Sequence, residues 1–138
     1  LPIYRRRQLE REQEVNYTLF LPFPSKNLSP NARNHWAKSA SAKKAYRQTC
    51  GWKAKADGLG HIDADALDVK VTFFPPDKRR RDLDNMLASL KSGLDGVSDV
   101  VGIDDSKWTI TLCKAAPVAP DGMVKIELEW TEKGAKAA

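Results

Sequence analysis

Two stretches of strict two-residue alternation, each cut off by a pair of prolines, constrain this chain most. In the first, Val15, Tyr17, Leu19 and Leu21 alternate with Asn16, Thr18 and Phe20 before Pro22 and Pro24. In the second, Leu67, Val69, Val71 and Phe73 alternate with Asp68, Lys70 and Thr72 before Pro75 and Pro76. Alternation puts one set of side chains on one face of a strand, and proline, which lacks the N–H that a ladder needs, ends it. Two further strands are expected, from about Lys107 to Lys114 and from Met123 to Trp130. The loop between them holds Pro117, Pro120 and the pair Asp121-Gly122, which is the turn chemistry of a terminal hairpin.

Between the strands the period becomes helical. Trp36, Ala42, Tyr46, Cys50 and Ala54 predict a long basic amphipathic helix from about Trp36 to Ala56, weakened at Gly51. Leu83, Met86, Leu87, Leu90, Leu94 and Val97 predict a second, from about Asp82 to Val97, with Asp84, Ala88, Lys91 and Asp95 on its polar face. The order is β-α-β-α-β-β, so the expected fold is α+β, a single domain with a mixed sheet and helices packed on it. A chain of 138 residues, 41% of them hydrophobic, is enough for one such core. The charged run RRRQLEREQE marks residues 1–14 as a solvated extension or short surface helix, and the Ala- and Lys-rich residues 131–138 as a flexible tail. The domain proper is expected over residues 15–130.

Charge is distributed unevenly. The net charge is +5, but no acidic residue lies between Glu14 and Asp57, a stretch that holds Lys26, Arg33, Lys38, Lys43, Lys44, Arg47, Lys53 and Lys55. This is the footprint of a phosphate-binding surface, with Lys43, Lys44 and Arg47 as the expected DNA contacts on the first helix. Cys50 and Cys113 have no CxxC spacing, and His35 and His61 have no partner at zinc spacing, so neither a disulfide framework nor a zinc site is indicated. A cytoplasmic protein is expected. No apolar run approaches the roughly 20 residues that span a bilayer, and the N-terminus lacks a signal peptide's apolar core, so no membrane association is expected. Trp36, Trp52, Trp108 and Trp130 are expected in or against the core, and Ser25, Asn27 and Asn31 suit turns.

The densest polar signal is PPDKRRRDLDN, residues 75–85, where the second strand ends and the second helix begins. Asp82 and Asp84, two apart, are placed to converge on one ion, and such hard oxygen ligands suit magnesium or manganese. Asp104 and Asp105 of GIDDS immediately precede the third strand; if that strand lies beside the second, they reach the same site. Asp82 and Asp84, with the Asp104-Asp105 pair, are thus the candidate catalytic metal ligands. Lys78, Arg79, Arg80 and Arg81 flank them, as expected where the substrate is a phosphate backbone. The same residues have plainer readings. Asp82 is a good N-cap, the Asp104-Asp105 pair suits a turn, and the basic run suits a solvated loop.

Taken together, PDKRRRDLDN, KSGLDG and GIDDS, preceded by LPFPSKNLSPN, resemble the RusA-like Holliday junction resolvases, endonucleases common in phages and prophages. The resemblance covers roughly Val15 to Trp130. It implies a magnesium-dependent homodimer that binds a four-way DNA junction and makes paired nicks, the twofold axis of the dimer matching that of the junction. Asp82 and Asp84 match the carboxylates of the family's DLDN motif, and Asp105 the second Asp of its DD motif. The family's functional Lys stands four residues after the second Asp of DLDN, where this chain has Ala88. Lys91 is the expected substitute. It lies two turns beyond Asp84 on the same face and four residues before Asp95, as the family Lys precedes its own later Asp. Two other classes compete: a branched-DNA-binding protein that has lost catalysis, with Ala88 as its sign, and a metal-dependent phosphohydrolase of small nucleotides, which has no use for so many basic residues on an acid-free stretch.

Overall fold

A computed structural model describes residues 14–33 and 35–132, so the expectations for residues 1–13 and 133–138 lie outside the described residues. Six regular elements follow in the order β1 (Glu14–Leu21), α1 (Trp36–Ala56), β2 (Leu67–Phe74), α2 (Leu83–Val101), β3 (Trp108–Lys114) and β4 (Met123–Thr131). Short 3-10 turns at Lys26–Leu28 and Asp105–Lys107 lead towards α1 and into β3. The fold is α+β, a single domain with a mixed four-stranded sheet and two helices packed on one face.

The strand order is β1-β4-β2-β3. β4 is antiparallel to both neighbours, with Ile126 opposite Leu19 on one side and Val71 on the other, while β2 and β3 run parallel. The expected terminal hairpin therefore does not form. β4 passes over β2 to lie beside β1, because its inward row of Val124, Ile126 and Leu128 is fully apolar and demands a central position. β3, with Thr109, Ile110 and Thr111 exposed, suits an edge. Parallel pairing of β2 and β3 needs a long crossover, and α2 provides it.

Inward residues of three strands, among them Leu19, Val71, Phe73 and Ile126, meet Leu90, Leu94 and Val97 of α2 and Cys50 and Ala54 of α1. The other sheet face is polar, carrying Asn16, Thr18, Lys70 and Glu129. Cys50 is inert core: burial pushes its thiol up to about 11.

Gly51 sits inside α1, which runs unbroken through it. It lies at the crossing of the two helices, where a Cβ on Gly96 would stand 2.3 Å from the Arg47 carbonyl oxygen and one on Gly51 would stand 3.2 Å from the Gly96 carbonyl oxygen. Close backbone approach replaces the propensity that glycine gives up. α2 also runs to Val101, beyond the expected end at Val97. The apolar stripe continues through Val101, and Gly102, at φ 78°, takes the left-handed conformation that stops the helix, its N–H donating to the Ser98 carbonyl at 2.9 Å.

The tryptophans divide. Trp108 and Trp130 are buried, but Trp36 is 76% exposed and Trp52 72% exposed, against expectation. The inward stripe of α1 runs through Tyr46, Cys50 and Ala54, so Trp52 falls on the opposite face, and Trp36 opens the helix well before that stripe begins. Among the described residues no helix is long and apolar enough to cross a membrane.

Candidate metal and nucleic-acid site

Pro75 and Pro76 end β2 and release the loop that carries the basic run. Asp77 organises that loop: its carboxylate accepts from the Arg79 N–H at 3.0 Å and from the Arg81 guanidinium at 2.8 Å, and the Arg81 hydrogen bond holds it below the usual carboxylate range. Arg81 is half-buried, 5.6 Å from the centre of the Phe23 ring, and its carbonyl accepts from Lys114 at 3.3 Å. Arg81 therefore builds the loop. Lys78, Arg79 and Arg80 remain exposed, Arg79 only loosely paired with Asp77 at 3.9 Å.

This loop, the start of α2 and the Pro/Asn loop after β1 enclose a groove of ≈ 680 Å³ that brings Lys26 and Asn31 opposite Arg79, Arg80, Asp82 and Asn85. Lys26 and Asn85 are members that the motif reading passes over. The signals for them are the place of Lys26 in the acid-free stretch and of Asn85 in DLDN itself. Asn31 belongs to a turn, as expected, its N–H donating to Ser29 Oγ at 3.2 Å, but that turn forms one wall of the groove.

Asp82 occupies the N-cap position of α2 with extended backbone, φ −91° and ψ 141°, yet its side chain makes no capping hydrogen bond. Its carboxylate is left to the groove. Asp84 lies exposed in the first turn. From there Ala88, Lys91 and Asp95 continue one stripe along the helix. Lys91 Nζ is 3.3 Å from Asp95 and in contact with Asp105.

The Asp104-Asp105 pair is divided by its turn. Asp104 caps the 3-10 turn by accepting from the Ser106 N–H at 3.1 Å, and its hydrogen bonds with Ser106 hold its carboxyl below the usual range. Asp105, half-buried, is left to Lys91. β3 does lie beside β2, but in parallel register, with Leu67 opposite Trp108 and Phe73 opposite Lys114. Asp105 thus precedes the start of β3 while Asp82 follows the end of β2, at the other end of the strands. Helix α2 runs back between them, and Asp105 meets it at Lys91, about 10 Å along the axis from Asp84 at 1.5 Å per residue.

The structure therefore gathers Lys91, Asp95 and Asp105, and leaves Asp82 and Asp84 at the helix entrance. Among the described residues no group of three or more His, Cys, Asp or Glu side chains stands close enough to hold a metal ion. In donor chemistry Asp82 and Asp84, carboxylates with no internal partner among the described residues, fit a hard divalent ion; Asp105 is neutralised by Lys91 instead of turned towards them.

On α1, Lys43 and Lys44 face solvent. Arg47 is exposed as well, but its guanidinium is engaged: its Nε and one Nη each donate to Asp99 at 2.8 Å, joining the two helices and holding the Asp99 carboxyl below its ordinary range.

No family model matches the chain. It is 42% identical over 94 residues, 66% of its length, to a protein of Xylella fastidiosa described as uncharacterized, and the match spans 61% of that protein. Among solved structures, a mutant FtsZ of M. jannaschii is similar at a TM-score of 0.40 and 11% identity, over 87% of this chain and 28% of that one. A likeness that slight carries neither fold nor function across.

Proposed function

We propose that this protein is a magnesium-dependent endodeoxyribonuclease of the RusA-like kind, acting as a cytoplasmic homodimer on four-way DNA junctions. The observation that carries the reading is the meeting of Lys91 with Asp105. The lysine displaced from the motif position by three residues, and the carboxylate from the distant GIDDS segment, come together on the stripe that begins at Asp84. Exposed Lys78, Arg79 and Arg80 beside Asp82 add the cationic surface that a phosphate backbone requires.

Asp82 and Asp84 would hold a magnesium or manganese ion, which would supply an activated water and offset charge on the leaving oxygen, while Asp105 would act through Lys91. The residues of the chain have separate tasks. Arg79, Arg80 and Lys26 orient the phosphodiester from the groove, Asn85 offers an amide to a sugar or phosphate oxygen, and Lys91 neutralises Asp105 until substrate phosphate draws the ammonium away.

The deciding experiment incubates a labelled four-way junction and a linear duplex of matching sequence with the protein, with magnesium and with EDTA, alongside Asp82→Asn. The expected result is junction cleavage that needs magnesium and is lost in the variant. Equal cutting by wild type and Asp82→Asn removes the proposed site. A second reading, a junction-binding protein without cleavage, is favoured by the dispersed carboxylates and by Ala88 at the motif lysine position. Tight junction binding with no nicking in magnesium or manganese selects it.

A further inference from the structure

The outer face of α1 carries chemistry that the Asp82 groove does not use. The helix has no acidic residue, and of its cations Lys38, Lys43, Lys44, Lys53 and Lys55 are all exposed. Two large rings stand out among them. Trp52 is 72% exposed on the solvent side of α1, and Phe20, on edge strand β1, is 51% exposed. Both line one open groove of ≈ 790 Å³ between β1 and α1, together with Gln48, Thr49, Lys53 and Asp57. The one carboxylate there is already engaged, accepting from the Tyr17 hydroxyl at 2.7 Å.

A protein partner is a poor match for this surface, because lysine is depleted at protein interfaces. Rings set among cations are instead what an unpaired nucleic-acid strand uses: bases stack on the aromatic faces, and phosphates lie on the lysines. The volume lies within the roughly 300–1,000 Å³ of sites that accept small ligands. Gln48 and Thr49 present amide and hydroxyl groups to the edge of a base seated there.

We propose that the groove between β1 and α1 is an accessory site for unpaired nucleobases of a DNA strand, with Trp52 and Phe20 as stacking surfaces and Lys53 and its neighbours holding the backbone. Such a site favours DNA whose strands part, as they do at a branch point, over continuous duplex. The proposal rests on the DNA-binding reading above and extends it to a surface outside the proposed reaction centre.

The test measures fluorescence anisotropy of labelled oligothymidylate, linear duplex and four-way junction with the full chain in EDTA at low salt, so that no cleavage intervenes. Trp52→Ala should weaken oligothymidylate binding by about tenfold or more, as loss of a stacking ring does, and leave duplex affinity within about twofold. Trp52→Phe should restore most of the binding, and Phe20→Ala should show a smaller loss of the same selectivity. An unchanged melting temperature confirms that these exposed substitutions spare the fold. Oligothymidylate binding unaffected by Trp52→Ala overturns the proposal, as does an equal loss on duplex, or a change of oligomeric state in Trp52→Ala, which would mark a protein-facing surface. Junction binding by the wild type with no effect of Trp52→Ala overturns this inference alone; no binding to any DNA overturns both it and the proposed function.

Discussion

Lys91 on α2 meets Asp105 of the turn that opens β3, and its ammonium also stands 3.3 Å from Asp95. A lysine so placed between two carboxylates suppresses their mutual repulsion and is within reach of a phosphate that approaches the Asp84 stripe. Lys91→Met should slow single-turnover junction cleavage by about a hundredfold, the scale on which removal of one transition-state contact acts. Lys91→Arg should recover part of the rate. Junction affinity in EDTA should change little in either variant. Cleavage at the wild-type rate by Lys91→Met would reduce the contact to a surface ion pair.

Asp82 and Asp104 both stand at N-cap positions, and only Asp104 accepts a capping hydrogen bond. A cap that accepts its bond contributes about 1 kcal/mol. Asp82→Ala should therefore cost less than about half of that in urea unfolding while abolishing magnesium-dependent cleavage. Asp104→Ala should do the reverse, lowering the melting temperature and leaving cleavage within a few-fold of wild type.

The helix crossing leaves no room for a methyl group on Gly96. Gly96→Ala should destabilise the fold by about 1–3 kcal/mol, the usual cost of overpacking, despite alanine's better helix propensity. Gly51→Ala, whose Cβ would meet the Gly96 carbonyl oxygen at 3.2 Å, should cost distinctly less. Chemical denaturation of the two variants side by side checks the order.

The Arg47–Asp99 pair gives a pH dependence of known sign. The Arg47 hydrogen bond lowers the Asp99 pKa in the folded state, so the stabilisation is present above the unfolded carboxylate value of about 3.9 and is lost as pH falls through the lower folded value. The melting temperature of Asp99→Asn should lie below wild type at neutral pH, and the gap should close below about pH 4. A gap that persists at low pH would show that the asparagine disturbs packing rather than charge.

Much of the architecture is legible in local periodicity. β1, β2 and β4 alternate because one face of the sheet is buried and the other polar, and both helices carry a continuous inward stripe. Strand order is less accessible: Asp121-Gly122 suggests a hairpin, but the choice of neighbour for β4 is made by burial of Val124, Ile126 and Leu128 between β1 and β2, a property of the assembled sheet. The same limit applies to the site. Local motif chemistry picks out Asp82 and Asp84, and Lys91 enters only through the family resemblance, with the helical period placing it on the Asp84 stripe. Whether Asp105 reaches Asp82 depends on which ends of two strands adjoin, and parallel register sets them apart. Trp52 shows the converse case, where residue type suggests core and the helical phase of α1 puts the ring outside.

The position of β4 also bears on how the chain is made. β1 has β4 as its strand neighbour, and about a hundred residues separate Leu21 from its partner Val124, a distant pairing of the kind that slows folding. On the ribosome, β1 waits for β4. The β2-α2-β3 unit has its partners at hand and is able to assemble first, after which β4 closes the sheet by entering between two strands already synthesised. A nascent chain halted before Met123 would leave β1 and one edge of β2 unpaired together, a template for association with other chains. Synthesis of β4 is thus the step that removes the danger.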